Sequence, residues 1–235
     1  MKYSLTIFFI FVLATSGKGE EKGMHRKETA YQQAQEIMVQ QIMQLKDGVL
    51  LVRLQTRENS IRVLNQAGKT EQADKIKNRQ RKYNMKIYAA FKECFTFCPI
   101  YFFFSNYSDS IRNGHAGGIV FLNENLEADT GIKLGNSKFL TAEFGALEKD
   151  TTKYFTGQYL YAGEHGLERR NQFSTGPNFG FPALKIMSDQ LVQLKKPFPY
   201  YVRTFESLPI KRRVSKTVER MNSKLLYYYN QNKED

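Results

Sequence analysis

The chain has 235 residues, 41% hydrophobic and 25% charged, which suits one substantial buried core or two small ones. Its 16 Gly and 6 Pro are too few for a fibrous or largely disordered chain. The formal charge of +12 points toward anionic partners or a solvated basic surface.

Residues 1–16 read as a separate object. Lys2 gives a short positive start, Leu5 to Leu13 is an apolar run, and Ala14-Thr15-Ser16 supplies small residues for a signal peptidase. The run is too short for a spanning helix of about 20 apolar residues, so a secretory signal peptide is expected, with an uncleaved anchor as its rival. Export to the periplasm or outside the cell argues against nucleic acid as the partner of the remaining +11 charge. No later segment reaches 18 apolar residues, so no transmembrane span is expected after cleavage.

Residues 17–28 are polar and Gly-rich and read as a flexible leader, ahead of a single globular domain over 29–235. From Thr29, the three- and four-residue spacing of Ala34, Ile37, Met38, Ile42 and Leu45 predicts a helix ending at Asp47-Gly48. Val49–Leu54 follows as a buried strand. Two helices, 58–67 and 70–93, then form a hairpin or one kinked helix about Gly68, and Lys and Arg crowd the open faces of the second. Strands are predicted at 99–106, 119–122, 139–144 and 184–187, with a short run at 200–204 and a closing helix from about Pro209 to Asn230. Residues 145–182 read as a long Gly-rich loop or lid. The stretch Ile119-Val120-Phe121-Leu122-Asn123-Glu124-Asn125-Leu126 echoes Leu184-Lys185-Ile186-Met187-Ser188-Asp189-Gln190-Leu191, as two similar hairpins would, or as chance would.

The two cysteines, Cys94 and Cys98, lie where the long helix meets the apolar run Ile100–Phe104. A helical spacing would set their Cα atoms about 6 Å apart, within disulfide range, and a fully extended one about 13 Å. Pro99 disfavours helix at Cys98, so a bridge, a redox pair and two core thiols all stay open. His25, His115 and His165 show no ligand spacing with them, and neither a metal nor a cofactor is expected. A Cys–His catalytic pair using His115 or His165 has no local motif behind it. Glu143, Asp150 and Glu164 lie near aromatics but read as surface charges.

Two features suggest binding. Tyr154, Phe155, Tyr159, Tyr161, His165, Phe173 and Phe179 cluster in the Gly-rich segment, either as a ligand surface or as packing for the loop. Lys211, Arg212, Arg213, Lys216 and Arg220 stand at the start of the last helix, where positive charge opposes the helix dipole, either to meet an anion or as an unpaired solvent face.

The order strand, helices, strand, further strands, a Pro before a strand and a closing helix is similar to a thioredoxin-like layout. Phe181-Pro182-Ala183-Leu184-Lys185-Ile186-Met187 looks like that superfamily's cis-Pro strand. The resemblance implies a Cys-x-x-Cys after the first strand, but Gln55-Thr56-Arg57-Glu58 stands there, so the usual chemistry is absent. LLVRLQT, FTFCPIYFFFSN, TAEFG, DTTKYF, GPNFGFPAL and KKPFPYYVRTFESLP together resemble an exported Bacteroidota protein family with no assigned activity. That similarity covers about residues 45–225; it implies export and one domain and carries over no catalytic residue.

The sequence has no Gly-x-Ser-x-Gly elbow, phosphate loop, dinucleotide fingerprint or His-Glu-x-x-His. The expectation is an α/β or α+β chain with a single mixed sheet flanked by helices. Its expected role is a non-enzymatic binding or interaction protein of the cell envelope, with an envelope protein or small ligand as partner. A thiol-disulfide protein using Cys94 and Cys98 is the alternative, and an enzyme around His115 and His165 a third reading.

Overall fold

The computed structural model describes residues 18–148, 155–163, 166–173, 181–205 and 212–233. The first helix, α1, spans Lys18–Asp47, so it takes in residues 18–28, expected as a flexible leader. It stops at Gly48 because the backbone turns sharply there into β1 (Val49–Leu54). A Cβ at residue 48 would lie 2.3 Å from the Lys138 carbonyl oxygen and 2.7 Å from that of Gln44, so only glycine fits.

Two helices cross from β1 to the next strand: α2 (Glu58–Gln66) and α3 (Thr70–Cys94). They are separate helices, joined through Gly68 at φ 71°. Then come β2 (Ile100–Phe104), the short α4 (Ser108–Arg112), the two-residue strands β3 (Phe121–Leu122) and β4 (Ala128–Asp129), and β5 (Phe139–Ala146). The last part holds β6 (Phe155–Gly163), β7 (Gly166–Phe173), β8 (Pro182–Met187), β9 (Tyr201–Arg203) and α5 (Val214–Asn232).

The main sheet is mixed, in the order β2-β1-β5-β8-β9. β1 runs parallel to β2 and β5, β5 antiparallel to β8, and β8 antiparallel to β9. The sheet flanked by helices is thus as expected, closed by a C-terminal helix. The segment read as a loop over 145–182 is different: it contains an antiparallel hairpin, β6–β7, with Gly163 opposite Gly166. Among the described residues the cis peptide bond lies at Lys196–Pro197, whereas the cis-Pro resemblance points to Pro182.

Alternation along the strands sorts two clusters onto two faces. Leu50, Val52 and Leu54 of β1 pack with Phe102, Ala142, Leu184 and Ile186 against α1, α3 and α5. Val49, Leu51 and Phe103 face the other way and meet Ile111 of α4, Ile119, Phe121 and Leu134.

The stretch Phe95–Pro99 between α3 and β2 is held from two sides. Asn222 of α5 accepts from the Thr96 and Phe97 backbone N–H groups at 2.9 and 3.0 Å. The Lys46 ammonium of α1 donates to the Phe97 carbonyl at 2.7 Å. Phe97 itself is fully buried and meets Tyr229 edge-on.

The echo between 119–126 and 184–191 is a real repeat of one turn. In the first copy, the Asn123 side-chain oxygen accepts from the N–H groups of Asn125 and Glu127. In the second, the Ser188 hydroxyl oxygen accepts from Gln190 and Val192. The backbone bonds match as well: Leu126 to Asn123 and Asn123 to Glu127, against Leu191 to Ser188 and Ser188 to Val192. Both copies put a leucine in the left-handed region, Leu126 at φ 59° and Leu191 at φ 61°.

Candidate functional site

Cys94 ends α3 and Cys98 follows it in an irregular stretch, and the two thiols are free. Burial pushes the Cys98 thiol up to about 12, against smaller lowering effects from the Leu50 backbone and the Lys46 charge. Burial, followed by the charges of Glu93 and Glu219, raises Cys94 as well. A thiol kept protonated is a poor nucleophile. Phe91, Phe95 and Phe102 pack the same junction, with Phe91–Phe95 centroids at 5.6 Å. This chemistry favours packing over redox work for the cysteine pair.

Of the aromatic candidates, Phe155, Tyr159 and Tyr161 lie on β6 and Phe173 on β7. In register, Phe155 pairs with Phe173, Tyr159 with Arg170 and Tyr161 with Glu168. Tyr154, His165 and Phe179 lie outside the described residues, as do Asp150, Glu164 and Lys211. His115 is exposed at the start of a single 3₁₀ turn, Ala116–Gly118.

The basic residues near the last helix come together in a defined place. α5 starts at Val214 with Arg213 as its N-cap, no side-chain capping bond and no acid in its first turn. Its free N–H groups therefore add partial positive charge to the side chains around them. A groove of about 890 Å³ opens there, lined by Lys86 and Glu93 of α3, Arg212 and Arg213. A second groove, of about 870 Å³, lies on the other side of Arg212. Its charged lining is Lys196, Arg203, Arg212, Arg220 and Lys224, without an acid among the described residues, and Tyr31, Tyr200, Tyr201 and Tyr228 complete its walls.

Arg212 is shared by both grooves and is firmly placed. Its Nη1 donates to the Arg203 carbonyl at 2.6 Å, and its guanidinium sits 4.7 Å from the centre of the Phe205 ring. Lys224 Nζ donates to the Tyr201 carbonyl at 3.0 Å. These two bonds take outward carbonyls of β9, the sheet's edge strand, and so blunt an edge open to another chain. Burial, then the Arg220 charge, lowers the pKa of Arg212. Of the predicted patch, Arg212, Arg213 and Arg220 line these grooves. Lys216 pairs instead with Glu219 at 2.8 Å.

A second charged cluster escapes the sequence reading. Arg53, Glu143 and Lys185 are register partners on β1, β5 and β8, side by side on the face away from α1, α3 and α5. Glu143 was read as a surface charge but is buried, because two neighbouring strands supply its counter-charges. Arg53 Nη1 and Gln55 Nε2 donate to its Oε2, and Lys185 Nζ meets its Oε1 at 3.1 Å. Arg53 Nε also donates to Ser108 of α4 at 2.8 Å. Every Glu143 oxygen is engaged within the protein, so the cluster reads as a register lock between strands. Its signal was one charge in each otherwise apolar strand: Arg in VLLVRL, Glu in FLTAEF and Lys in ALKIM.

Among the described residues, no group of three or more His, Cys, Asp and Glu side chains is placed to hold a metal ion. Nor is any described helix long and apolar enough to cross a membrane. No protein-family model, curated protein or solved structure matches the chain.

Proposed function

We propose that the protein is an exported binding protein for an anionic ligand, held in the paired grooves that meet at Arg212. The observation that carries this is the charge of the lining: Lys86, Lys196, Arg203, Arg212, Arg213, Arg220 and Lys224 against Glu93 alone among the described residues. Like charges gathered in concave walls repel one another and concentrate anions. Arg212 presents a planar, multi-donor guanidinium suited to carboxylate or phosphate. The uncapped start of α5 adds backbone donors to the first groove. Export is supported by the pattern of residues 1–16, and the raised thiols weigh against the redox alternative.

Thermal denaturation in rising galacturonate or inorganic phosphate tests the reading. A ligand at a hundred times its Kd adds about 2.7 kcal/mol to the folded state, so the melting temperature should climb with either anion. Arg212→Gln should remove most of that rise, while Lys133→Gln, an exposed lysine away from the grooves, should keep it. Equal rises in wild type and Arg212→Gln would overturn the proposal.

A further inference from the structure

The outer side of α3 is a second basic surface, separate from the paired grooves apart from Lys86. Ala73, Asn84, Ile87, Ala90 and Phe91 bury the inner side of this helix, which fixes the opposite side toward solvent. There residues 75–86 hold Lys75, Lys77, Arg79, Arg81, Lys82 and Lys86, all exposed, and no acid. Residues 75, 79, 82 and 86 recur at three- and four-residue steps, so they form one row, about 16 Å long at the helical rise. Lys75 pairs with Glu71. The other five cations have no ion-pair partner among the described residues. Arg81 donates to the Asn125 carbonyl at 3.1 Å, which leaves its charge uncancelled. Further along the helix, Lys92 shares a hollow with Glu124 and Asp129, so the uncompensated charge is confined to residues 75–86.

We infer that this side of α3 docks the protein on an anionic lipid leaflet. Cations on the outside of one helix are all within reach of a flat surface. The shallow hollow among them is lined by α3 residues alone, so no second wall encloses a compact ligand. A partner protein would need an apolar or aromatic anchor at the centre of its footprint, where lysine is depleted. Here four of the six cations are lysine, and Met85, 37% exposed, is the one exposed large apolar side chain of the stretch. Single-stranded nucleic acid gains affinity by stacking bases on open aromatic rings. The one ring among residues 75–86, Tyr83, is half-buried and edge-on to Phe144 at 6.3 Å. A leaflet needs neither anchor nor ring: its phosphates attract every Lys or Arg held within a screening length. Met85 lies three residues from Lys82 on the same outward side, where it can enter the headgroup layer while the flexible cations stay at the phosphates.

The test is vesicle co-sedimentation at physiological ionic strength and at higher salt. The purified protein meets vesicles of phosphatidylglycerol mixed equally with phosphatidylcholine, and vesicles of phosphatidylcholine alone. The neutral vesicles report any contribution from the apolar run at residues 5–13, which needs no lipid charge. The mixed vesicles should bind far more tightly, and rising salt should release the protein. Arg79→Gln/Lys82→Gln changes two exposed side chains and should weaken mixed-vesicle binding about tenfold to thirtyfold. Lys133→Gln/Lys138→Gln removes the same charge from exposed residues ahead of β5, where Leu134 packs on the opposite face of the sheet. This control and Arg212→Gln should both stay within about twofold of wild type. Equal losses in the two double variants would reduce the effect to net charge and overturn the docking face, as would equal binding to neutral vesicles. If Arg212→Gln releases the vesicles and the α3 double variant does not, the grooves rather than α3 meet the lipid; the docking face falls and anion binding stands. Tighter binding of poly-glutamate or oligo-dT than of mixed vesicles, at equal anionic charge, overturns the lipid assignment.

Discussion

At the scale of single residues, Glu143 is the side chain on which most depends. It is the one carboxylate between Arg53 and Lys185, with side-chain exposures of 9%, 17% and 6% respectively. Removing one member of a buried ion cluster leaves charge without compensation, a loss of roughly 3–5 kcal/mol. Glu143→Gln should therefore lower stability by about that amount in urea denaturation. Replacing Arg53, Glu143 and Lys185 together by Met should cost less than Glu143→Gln alone, since it removes the charges rather than stranding them. A triple variant less stable than the single one would show that the cluster contributes more than its burial costs.

Cys98 gives a pH-dependent counterpart. Its folded pKa of about 12 lies above the ordinary value of 9.0, so from pH 9 upward the unfolded chain releases a proton that the folded chain keeps. The thiol's contribution is therefore fully present below about pH 9 and is lost as pH rises toward 12. The stability of wild type relative to Cys98→Ala should fall by up to about 1.4 kcal/mol per pH unit in that window. Urea midpoints for both proteins at about pH 8 and pH 10 measure it. A difference that does not change with pH would mean that Cys98 ionises freely.

At the scale of elements, the repeated turn makes a paired prediction. A left-handed leucine is strained by roughly 1–2 kcal/mol, and at both sites the side chain is turned toward the core. Leu126 is 4% exposed in the large cluster, whereas Leu191 is only partly buried beside the smaller one. Leu126→Gly gains the relief and loses a buried side chain worth roughly 3–5 kcal/mol, for a net loss of about 2 kcal/mol. Leu191→Gly loses less packing for the same relief and should change stability by under about 1 kcal/mol. Equal losses at the two positions would contradict this balance of strain and burial.

The same elements show how far the sequence was legible. Strongly periodic pieces could be read, because apolar spacing is set by burial: α3 and the strand Val49–Leu54 lie close to their expected bounds, while the last helix begins at Val214 rather than near Pro209. The β6–β7 hairpin could not, since Gly-Leu-Glu-Arg-Arg-Asn-Gln-Phe has no apolar alternation; its usable signal was the Gly163-x-x-Gly166 closure. Arg53, Glu143 and Lys185 were missed because pairing across strands 42 and 90 residues apart leaves no local pattern. The basic start of the last helix was visible, but its partners Lys86, Lys196 and Arg203 come from three other places and meet only in the fold.

At the scale of the whole molecule, the excess of 35 basic over 23 acidic residues is unevenly spread. A cluster such as the one around Arg212 opposes folding by self-repulsion and favours binding by attraction, so one residue can be stabilising when lost and useful when kept. Arg220 is the cleanest case. It is exposed, has no ion-pair partner among the described residues, and its charge depresses the pKa of Arg212. It lies seven residues into α5, beyond the turn where the helix dipole acts strongly. Arg220→Gln should raise stability by a few tenths of a kcal/mol at low salt. The gain should fade as salt shortens the screening length to about 8 Å at physiological strength. The same variant should bind galacturonate more weakly than wild type, linking the stability gain to a loss of binding. Denaturation at two salt concentrations, paired with one anion titration, decides it. A destabilised Arg220→Gln, or one with undiminished anion binding, would mean that the grooves are an ordinary solvated surface.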